Sequence, residues 1–142
     1  YRFNGYWMDV GTIDSLWEAN MDLLIPNNEL DLSDRTWKIY TEDTDALPQY
    51  IGEKAEIQNA YITQGCIIEG QVRNSVLFTG AKVCAGAKVI DSVLMPGAVV
   101  EEGAVVVRAL VAGDIRIGKN AVVGSPDSEH IELIAKRVKE AE

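Results

Sequence analysis

The sequence from Asn74 to Leu94, NSVLFTGAKVCAGAKVIDSVL, contains one full copy of a pattern that recurs between Ile51 and Gly124. Four segments open successive copies: Asn59-Ala60-Tyr61-Ile62, Asn74-Ser75-Val76-Leu77, Asp91-Ser92-Val93-Leu94 and Arg108-Ala109-Leu110-Val111. These openings lie 15, 17 and 17 residues apart. Repetition at such a period indicates stacked copies of one structural unit.

Within each copy an aliphatic residue is followed by three small or polar residues and an alanine, and a second aliphatic residue comes six positions after the first. The motifs are Ile51-Gly52-Glu53-Lys54-Ala55, Val83-Cys84-Ala85-Gly86-Ala87, Val100-Glu101-Glu102-Gly103-Ala104 and Ile117-Gly118-Lys119-Asn120-Ala121. A period of six fits neither an α-helix nor a long alternating strand. It predicts a mainly β protein, a parallel β-helix of about four coils with roughly 18 residues each, in which three short strands form a triangle.

The aliphatic positions of the repeat define the expected core of this β-helix. They are Ile51, Ile57, Ile62, Ile68, Leu77, Val83, Val89, Leu94, Val100, Val106, Val111, Ile117 and Val123. One copy, Ile68-Glu69-Gly70-Gln71-Val72, is two residues short, which predicts a tightened turn there.

Helices are expected on both sides of the β-helix. Thr12 is a suitable cap for a helix of about twelve residues with one apolar face, ending before Pro26; part of the partner of that face is expected to be missing. Residues 29–48 predict an acidic connector, in which Trp37 to Tyr40 alternate like a short strand. After Gly124, the spacing of Ile131, Ile134 and Val138 predicts a C-terminal helix within residues 125–142, which either caps the solenoid or contacts a partner subunit.

Composition excludes several classes of partner. The net charge of −9 argues against nucleic-acid and membrane binding. We expect neither a membrane span nor a signal peptide, because no apolar run is long enough and no charged leader precedes one. Cys66 and Cys84 occupy small-residue positions of the repeat, so buried thiols in a reducing, cytoplasmic compartment are expected.

Residue inventory also limits the chemistry. The only histidine, His130, lies outside the coils, so a hydratase that needs three histidine ligands is excluded and an acyltransferase with a coil histidine as general base is disfavoured. No nucleophile elbow, Walker loop or dinucleotide fingerprint is present. The adjacent Glu101 and Glu102 fit a solvated corner better than a catalytic pair. The repeats therefore predict no active site of their own.

The segment before the helix, Gly5-Tyr6-Trp7-Met8-Asp9-Val10-Gly11-Thr12-Ile13, closely resembles the domain junction of the bacterial glucose-1-phosphate adenylyltransferase family. Trp17-Glu18-Ala19-Asn20-Met21-Asp22-Leu23-Leu24, Asp34-Arg35-Thr36-Trp37-Lys38-Ile39-Tyr40 and Leu47-Pro48 extend this resemblance over essentially the whole chain. It implies that residues 1–28 end a nucleotidyltransferase domain whose remainder is absent, that 29–48 connect it to a left-handed β-helix over 49–124, and that 125–142 form the terminal helix.

The resemblance also implies a function. Members of the family join ATP and glucose 1-phosphate to give ADP-glucose and pyrophosphate for glycogen synthesis, and this fragment would be inactive alone. Asp9 would be one of two carboxylates that hold Mg²⁺ against the nucleotide phosphates, and Trp7 would shape the sugar pocket. From the residues alone, Asp9 as a backbone cap and Trp7 as a packed aromatic remain open.

In the same family the β-helix serves oligomerisation, usually as a homotetramer or a mixed one, and regulation by sugar-phosphate activators and nucleotide inhibitors. Phosphate groups bind arginine and lysine, and among the basic residues of the coils Arg116 and Lys119 are the expected effector contacts; a solvated corner is the alternative for each. The tail after Gly124 departs from the basic motif of enterobacterial members, which leaves the effector open. A non-catalytic regulatory subunit and another sugar-phosphate nucleotidyltransferase remain alternatives.

Overall fold

The computed structural model describes residues 2–32, 34–36, 38–40 and 44–141. In chain order its elements are α1 (Ile13–Asp22), β1 (Tyr50–Ile51), β2 (Glu56–Ile62), β3 (Ile67–Ile68), β4 (Gln71–Leu77), β5 (Lys82–Val83), β6 (Lys88–Ile90), β7 (Val93–Leu94), β8 (Val99–Val100), β9 (Val105–Val107), β10 (Ala109–Val111), β11 (Arg116–Ile117), β12 (Val122–Val123) and β13 (Glu132–Ile134).

The strands form three parallel ladders that enclose a triangular prism. One face has the order β1-β3-β5-β8-β11. β4 turns a corner: its first half pairs with β6 and its second half with β7, so these halves belong to the second and third faces. The second face continues through β9 to β12 and the third through β10 to β13. The predicted β-helix with triangular coils is confirmed.

The predicted aliphatic columns fill the prism. Along the third face, Leu77, Leu94 and Val111 are each fully buried and stack in register. The other two faces contribute Ile68, Val83, Val100 and Ile117, and Val72, Val89, Val106 and Val123, all of them buried. Only the first coil departs from the prediction: Ile51 is 43% exposed and Ile57 is 40% exposed, because no earlier coil covers them.

The shortened copy forms the predicted tight corner at Gly70. A β-carbon on this glycine would lie 2.6 Å from the carbonyl oxygen of Cys84, so the two coils approach too closely for any side chain. At another corner, Asn59, Asn74, Asp91 and Arg108 all have φ between 46° and 49°. There Asn59 donates to Asn74 (2.9 Å) and Asn74 donates to Asp91 (2.7 Å), so side-chain hydrogen bonds join successive coils.

The predicted C-terminal helix is wrong. β13 pairs in parallel with β10, which places Ile134 in the core column directly after Val111. Val138 bridges to Ile117, and the amide of Ala141 donates to the carbonyl oxygen of Lys119. The apolar spacing that suggests a helix also fits this final coil, and strand pairing prevails because the preceding coil offers unsatisfied backbone groups. The segment therefore continues the β-helix beyond Gly124 and covers its last coil, so the predicted capping role is confirmed.

The helix α1 begins after Thr12, whose hydroxyl accepts from the amide of Ser15 in a reciprocal capping box. The coils supply a partner for its apolar face; that a further part of this partner is missing stays a prediction. Ile13, Leu16, Trp17 and Met21 pack against a flank of the β-helix formed by Val93, Leu110 and Ile131 together with Phe78 and Met95. The short strand suggested for the connector is absent at Lys38 to Tyr40; Trp37 lies outside the described residues.

Of the two cysteines, both are free, and only one is buried as predicted. Cys66 is fully buried and Cys84 is half-buried. Burial raises the pKa of both thiols.

Candidate functional site

The segment that carries Asp9 and Trp7, residues 2–11, is irregular and leads directly into α1. Asp9 is exposed, and Trp7 is 75% exposed, so Trp7 does not pack within this chain. The described residues include no cluster of three histidine, cysteine or acidic side chains that could hold a metal ion. A single open carboxylate nevertheless fits Mg²⁺, which takes one or two protein carboxylates and otherwise phosphates and water.

Tyr6 anchors this segment to the end of α1. Its hydroxyl donates to the Asp22 carboxylate (2.9 Å). Burial raises the pKa of Tyr6, and the hydrogen bond to Asp22 adds to the rise. A cavity of about 490 Å³ lies between the segment and the connector, lined by Phe3, Gly5, Tyr6, Glu29, Leu30, Asp31, Asp34 and Ile39. The residues before α1 thus hold a defined position on the rest of the chain.

The side chains of Trp17 and Arg108 join α1 to the coils. We call this pair the Trp17 clamp. The Trp17 indole N–H donates to the carbonyl oxygen of Asp91 (2.8 Å). The guanidinium of Arg108 stands 5.2 Å from the ring centre of Trp17, a cation–π distance. Arg108 also donates from Nε to the carbonyl oxygen of Ser128 (3.1 Å). The clamp therefore joins α1, a coil corner and the terminal loop.

Replacing Trp17 by phenylalanine should destabilise the chain by about 1–2 kcal/mol. The variant keeps an aromatic ring but loses the indole donor, so the Asp91 carbonyl loses this partner. Chemical denaturation followed by circular dichroism measures the change. Trp7→Phe is the matched control, because the exposed Trp7 should shift stability by no more than about 0.5 kcal/mol. Equal effects of the two substitutions would contradict the clamp.

Asp14, in the first turn of α1, fixes the start of the helix to the terminal loop. One carboxylate oxygen accepts from the amide of Ile131 (2.6 Å), and the other lies 3.0 Å from Nδ1 of His130. The Ile131 amide, followed by the His130 hydrogen bond, lowers the pKa of Asp14 below its ordinary 3.8. Since 117 positions separate Asp14 from Ile131, no sequence pattern could have indicated this contact.

The depressed pKa of Asp14 predicts a specific pH dependence. A carboxyl group with a lowered folded pKa adds stability above its ordinary pKa and loses it as the pH falls through the lowered value. The electrostatic contributions of His130 and Arg108 lower the pKa of Asp14 as well. Asp14→Asn should therefore be less stable than the wild type at pH 7, and the difference should shrink once the pH falls below 3.8. Thermal unfolding midpoints measure it; a difference unchanged at pH 3 would contradict the prediction.

Arg116 and Lys119 lie together on the last full coil, as their spacing requires, but both are already paired. Arg116 contacts Glu101 and Lys119 contacts Glu102, each at 2.7 Å across adjacent coils. The Arg116 hydrogen bond lowers the pKa of Glu101, and the Glu102 hydrogen bond raises the pKa of Lys119. Lys82, Cys84 and Val99 complete the lining of a shallow cavity of about 180 Å³. A phosphate bound here would have to compete with two carboxylates.

The described part of the chain contains no helix with the length and apolarity needed to cross a bilayer.

The β-helix accounts for most of the chain and matches a known family of sequences. Residues 46–137 match the family model described as GlmU-like, C-terminal hexapeptide.

Curated relatives extend this similarity beyond residues 46–137, since their match covers 123 residues of the chain. Proteins named glucose-1-phosphate adenylyltransferase from Bacillus mycoides (strain KBAB4) and Bacillus anthracis are each 50% identical to this chain over 123 residues. The match covers 87% of this chain and 33% of each relative, in the C-terminal part of those proteins. The chain therefore spans about a third of the length of the curated relatives it matches.

Proposed function

We propose, from the premise that the chain belongs to the GlmU-like C-terminal hexapeptide family, that it is the regulatory and oligomerisation β-helix of a glucose-1-phosphate adenylyltransferase. The observation that carries the proposal is the 50% identity over 87% of the chain to proteins of that name. The coils support it by what they contain: a packed aliphatic core and corner ladders, with the only histidine in the loop that precedes β13. Such a domain supports and regulates chemistry that occurs elsewhere.

The whole protein, on this proposal, is a cytoplasmic enzyme that transfers the adenylyl group of ATP to glucose 1-phosphate and releases pyrophosphate, and this fragment alone has no turnover. Mg²⁺, when bound, neutralises charge that develops on the leaving pyrophosphate. Asp9 would supply one carboxylate ligand from its exposed position ahead of α1, and Trp7 would cover part of the sugar pocket. The hydrogen bond from Tyr6 to Asp22 would help to hold both residues in place.

For regulation, the proposal assigns phosphate groups of sugar-phosphate or nucleotide effectors to Arg116 and Lys119. Without an effector, Arg116 is paired with Glu101 and Lys119 with Glu102. An effector phosphate would replace two carboxylates, and the freed glutamates would repel it. Exposed ion pairs are weak because solvent screens them, so a doubly charged phosphate could displace them.

The test is pyrophosphate release by the full-length protein supplied with Mg²⁺, ATP and glucose 1-phosphate. Turnover with this pair, and slower turnover when other nucleoside triphosphates or sugar 1-phosphates replace either substrate, supports the proposal. Faster turnover with another pair would make the protein a different sugar-phosphate nucleotidyltransferase. An intact folded oligomer without turnover on any pair would make it a non-catalytic regulatory subunit, and the enzymatic proposal would fail.

A further inference from the structure

A cleft lies between the turn that follows α1 and the outer side of the first coil. Its volume is about 470 Å³, which is within the range of sites for small organic ligands. We call it the Tyr61 cleft and define it by five polar residues that line it: Asn27, Asn28, Asp31, Asn59 and Tyr61. Leucine, isoleucine, proline and alanine residues form the rest of the described lining. The cleft therefore combines apolar walls with several hydrogen-bonding groups.

Hydrogen bonds hold one wall of the cleft in a fixed turn. The amide of Ile25 donates to the carbonyl oxygen of Asp22 (3.2 Å), and the amide of Asn28 donates to that of Ile25 (3.3 Å). The side-chain amide of Asn28 also donates to the carbonyl oxygen of Asp22 (2.7 Å). Asn27 lies in this turn with φ of 59°, a left-handed conformation that asparagine adopts more readily than most residues. This wall is thus formed before any ligand binds.

Strand β2 supplies the other wall. Ile62 pairs with the core residue Leu77, so the alternation of side chains along the strand directs the preceding Tyr61 outward. The Tyr61 side chain is 46% exposed. The side-chain amide of Asn59 donates to Asn74 (2.9 Å), which leaves the side-chain oxygen of Asn59 to accept from a ligand. The register of β2 on β4 therefore fixes both residues at the cleft.

The charge of the lining disfavours anions. Asp31 is the one charged residue among the described lining residues of the cleft, and none of those residues is basic. A phosphate would find no cation to bind there and a carboxylate that repels it. The cleft thus differs in kind from the surface of Arg116 and Lys119, and its ligand is expected to be uncharged.

Neutral sugars match the groups that line the cleft. Each carboxamide of Asn27, Asn28 and Asn59 offers both donors and an acceptor, and each sugar hydroxyl can likewise donate and accept. The ring of Tyr61 carries negative charge on its face, which attracts the C–H groups along one face of a sugar ring. One aromatic ring beside three carboxamides can therefore bind the apolar face and the polar rim of the same sugar.

We propose that the Tyr61 cleft is a binding site for a neutral mono- or disaccharide. The ring of Tyr61 packs against one face of the sugar, and the carboxamides of Asn27, Asn28 and Asn59 bind its hydroxyls. This inference goes beyond the proposed function, because it adds an uncharged ligand and uses neither Asp9 nor the basic residues of the coils.

The experiment measures the dissociation constant of maltose for the full-length protein by calorimetry and ligand-detected NMR, without ATP. We expect saturable binding that inorganic phosphate does not displace. Asn27→Gly removes one carboxamide, and glycine adopts the same positive φ without strain. Tyr61→Leu keeps an apolar side chain but removes the ring face. Each variant should bind maltose at least roughly 10-fold more weakly, as expected for one lost hydrogen bond or ring contact.

Asn120→Gly is the matched control. Asn120 is exposed at a corner of the last full coil and has φ of 58°, so the chemical change and the backbone conformation are the same as at Asn27. It should leave the affinity for maltose unchanged, and circular dichroism should show all variants folded.

Four results would overturn the proposal: no saturable binding of maltose to the wild type, displacement of maltose by phosphate, an unchanged affinity in either cleft variant, or equal weakening by Asn120→Gly. Because the readout is binding without ATP, it is independent of pyrophosphate release. A protein without turnover on any substrate pair could still bind maltose in the cleft, and an active enzyme could fail to bind it.

Discussion

Leu94→Ala is expected to lower the free energy of unfolding by about 2–5 kcal/mol. Leu94 is fully buried and stacks between Leu77 and Val111 in the third-face column. The coils on both sides are fixed by backbone ladders, so they cannot collapse into the cavity that the lost atoms leave. Since domains are stable by only about 5–15 kcal/mol, the loss is a large share of the total.

Guanidinium denaturation followed by circular dichroism measures this loss. Val122→Ala, which truncates an exposed side chain on β12, should change stability by no more than about 0.5 kcal/mol. A loss below about 1 kcal/mol for Leu94→Ala would mean that the column relaxes freely, which contradicts a rigid core of stacked coils.

The second large effect concerns catalysis. In the full-length protein, Asp9→Asn should slow pyrophosphate release about 100-fold or more, which corresponds to about 2.7 kcal/mol or more of transition-state stabilisation. Asparagine preserves the size of the side chain and one oxygen but removes the charge that a hard cation requires. The Mg²⁺ concentration for half-maximal rate should rise in the same variant.

The control for Asp9→Asn is Asp127→Asn, the same chemical change at an exposed position of the terminal loop. It should leave both the rate and the Mg²⁺ requirement unchanged. If Asp9→Asn retains more than half of the wild-type rate, Asp9 is not a metal ligand, and the alternative of a local backbone cap is favoured.

The sequence predicts the β-helix well because its core signal is local and repeated. The spacing of Val83, Val89 and Leu94 alone predicts that they face the core, and all three are buried in the structure. Ile134 is the exception. It lies 23 residues after Val111 where the repeat has 17, since a loop intervenes, and the disturbed period made a helix the simpler interpretation. The exposure of Ile51 and Ile57 in the first coil is not predicted for a different reason: periodicity identifies an inward-facing residue but not whether another coil covers it.

The candidate sites were less predictable because their contacts join distant parts of the chain. Trp17 and Asp91 are 74 positions apart, and nothing in the local sequence of either indicates the other. Glu101 and Arg116 lie on neighbouring coils but 15 positions apart, not at the register of 17, so spacing does not reveal that their side chains pair. The roles of Asp9 and Trp7 are inferred from the family resemblance alone, and these roles remain predictions.

The seat of α1 has a consequence for how the polypeptide is made. Asp14 emerges from the ribosome before its partner Ile131, which follows 117 positions later. At translation rates of about 5–20 residues per second, the helix waits about 6–23 seconds for that seat to exist. During this interval the helix lacks the Ile131 contact, so part of its apolar face stays exposed until the last coil is synthesised.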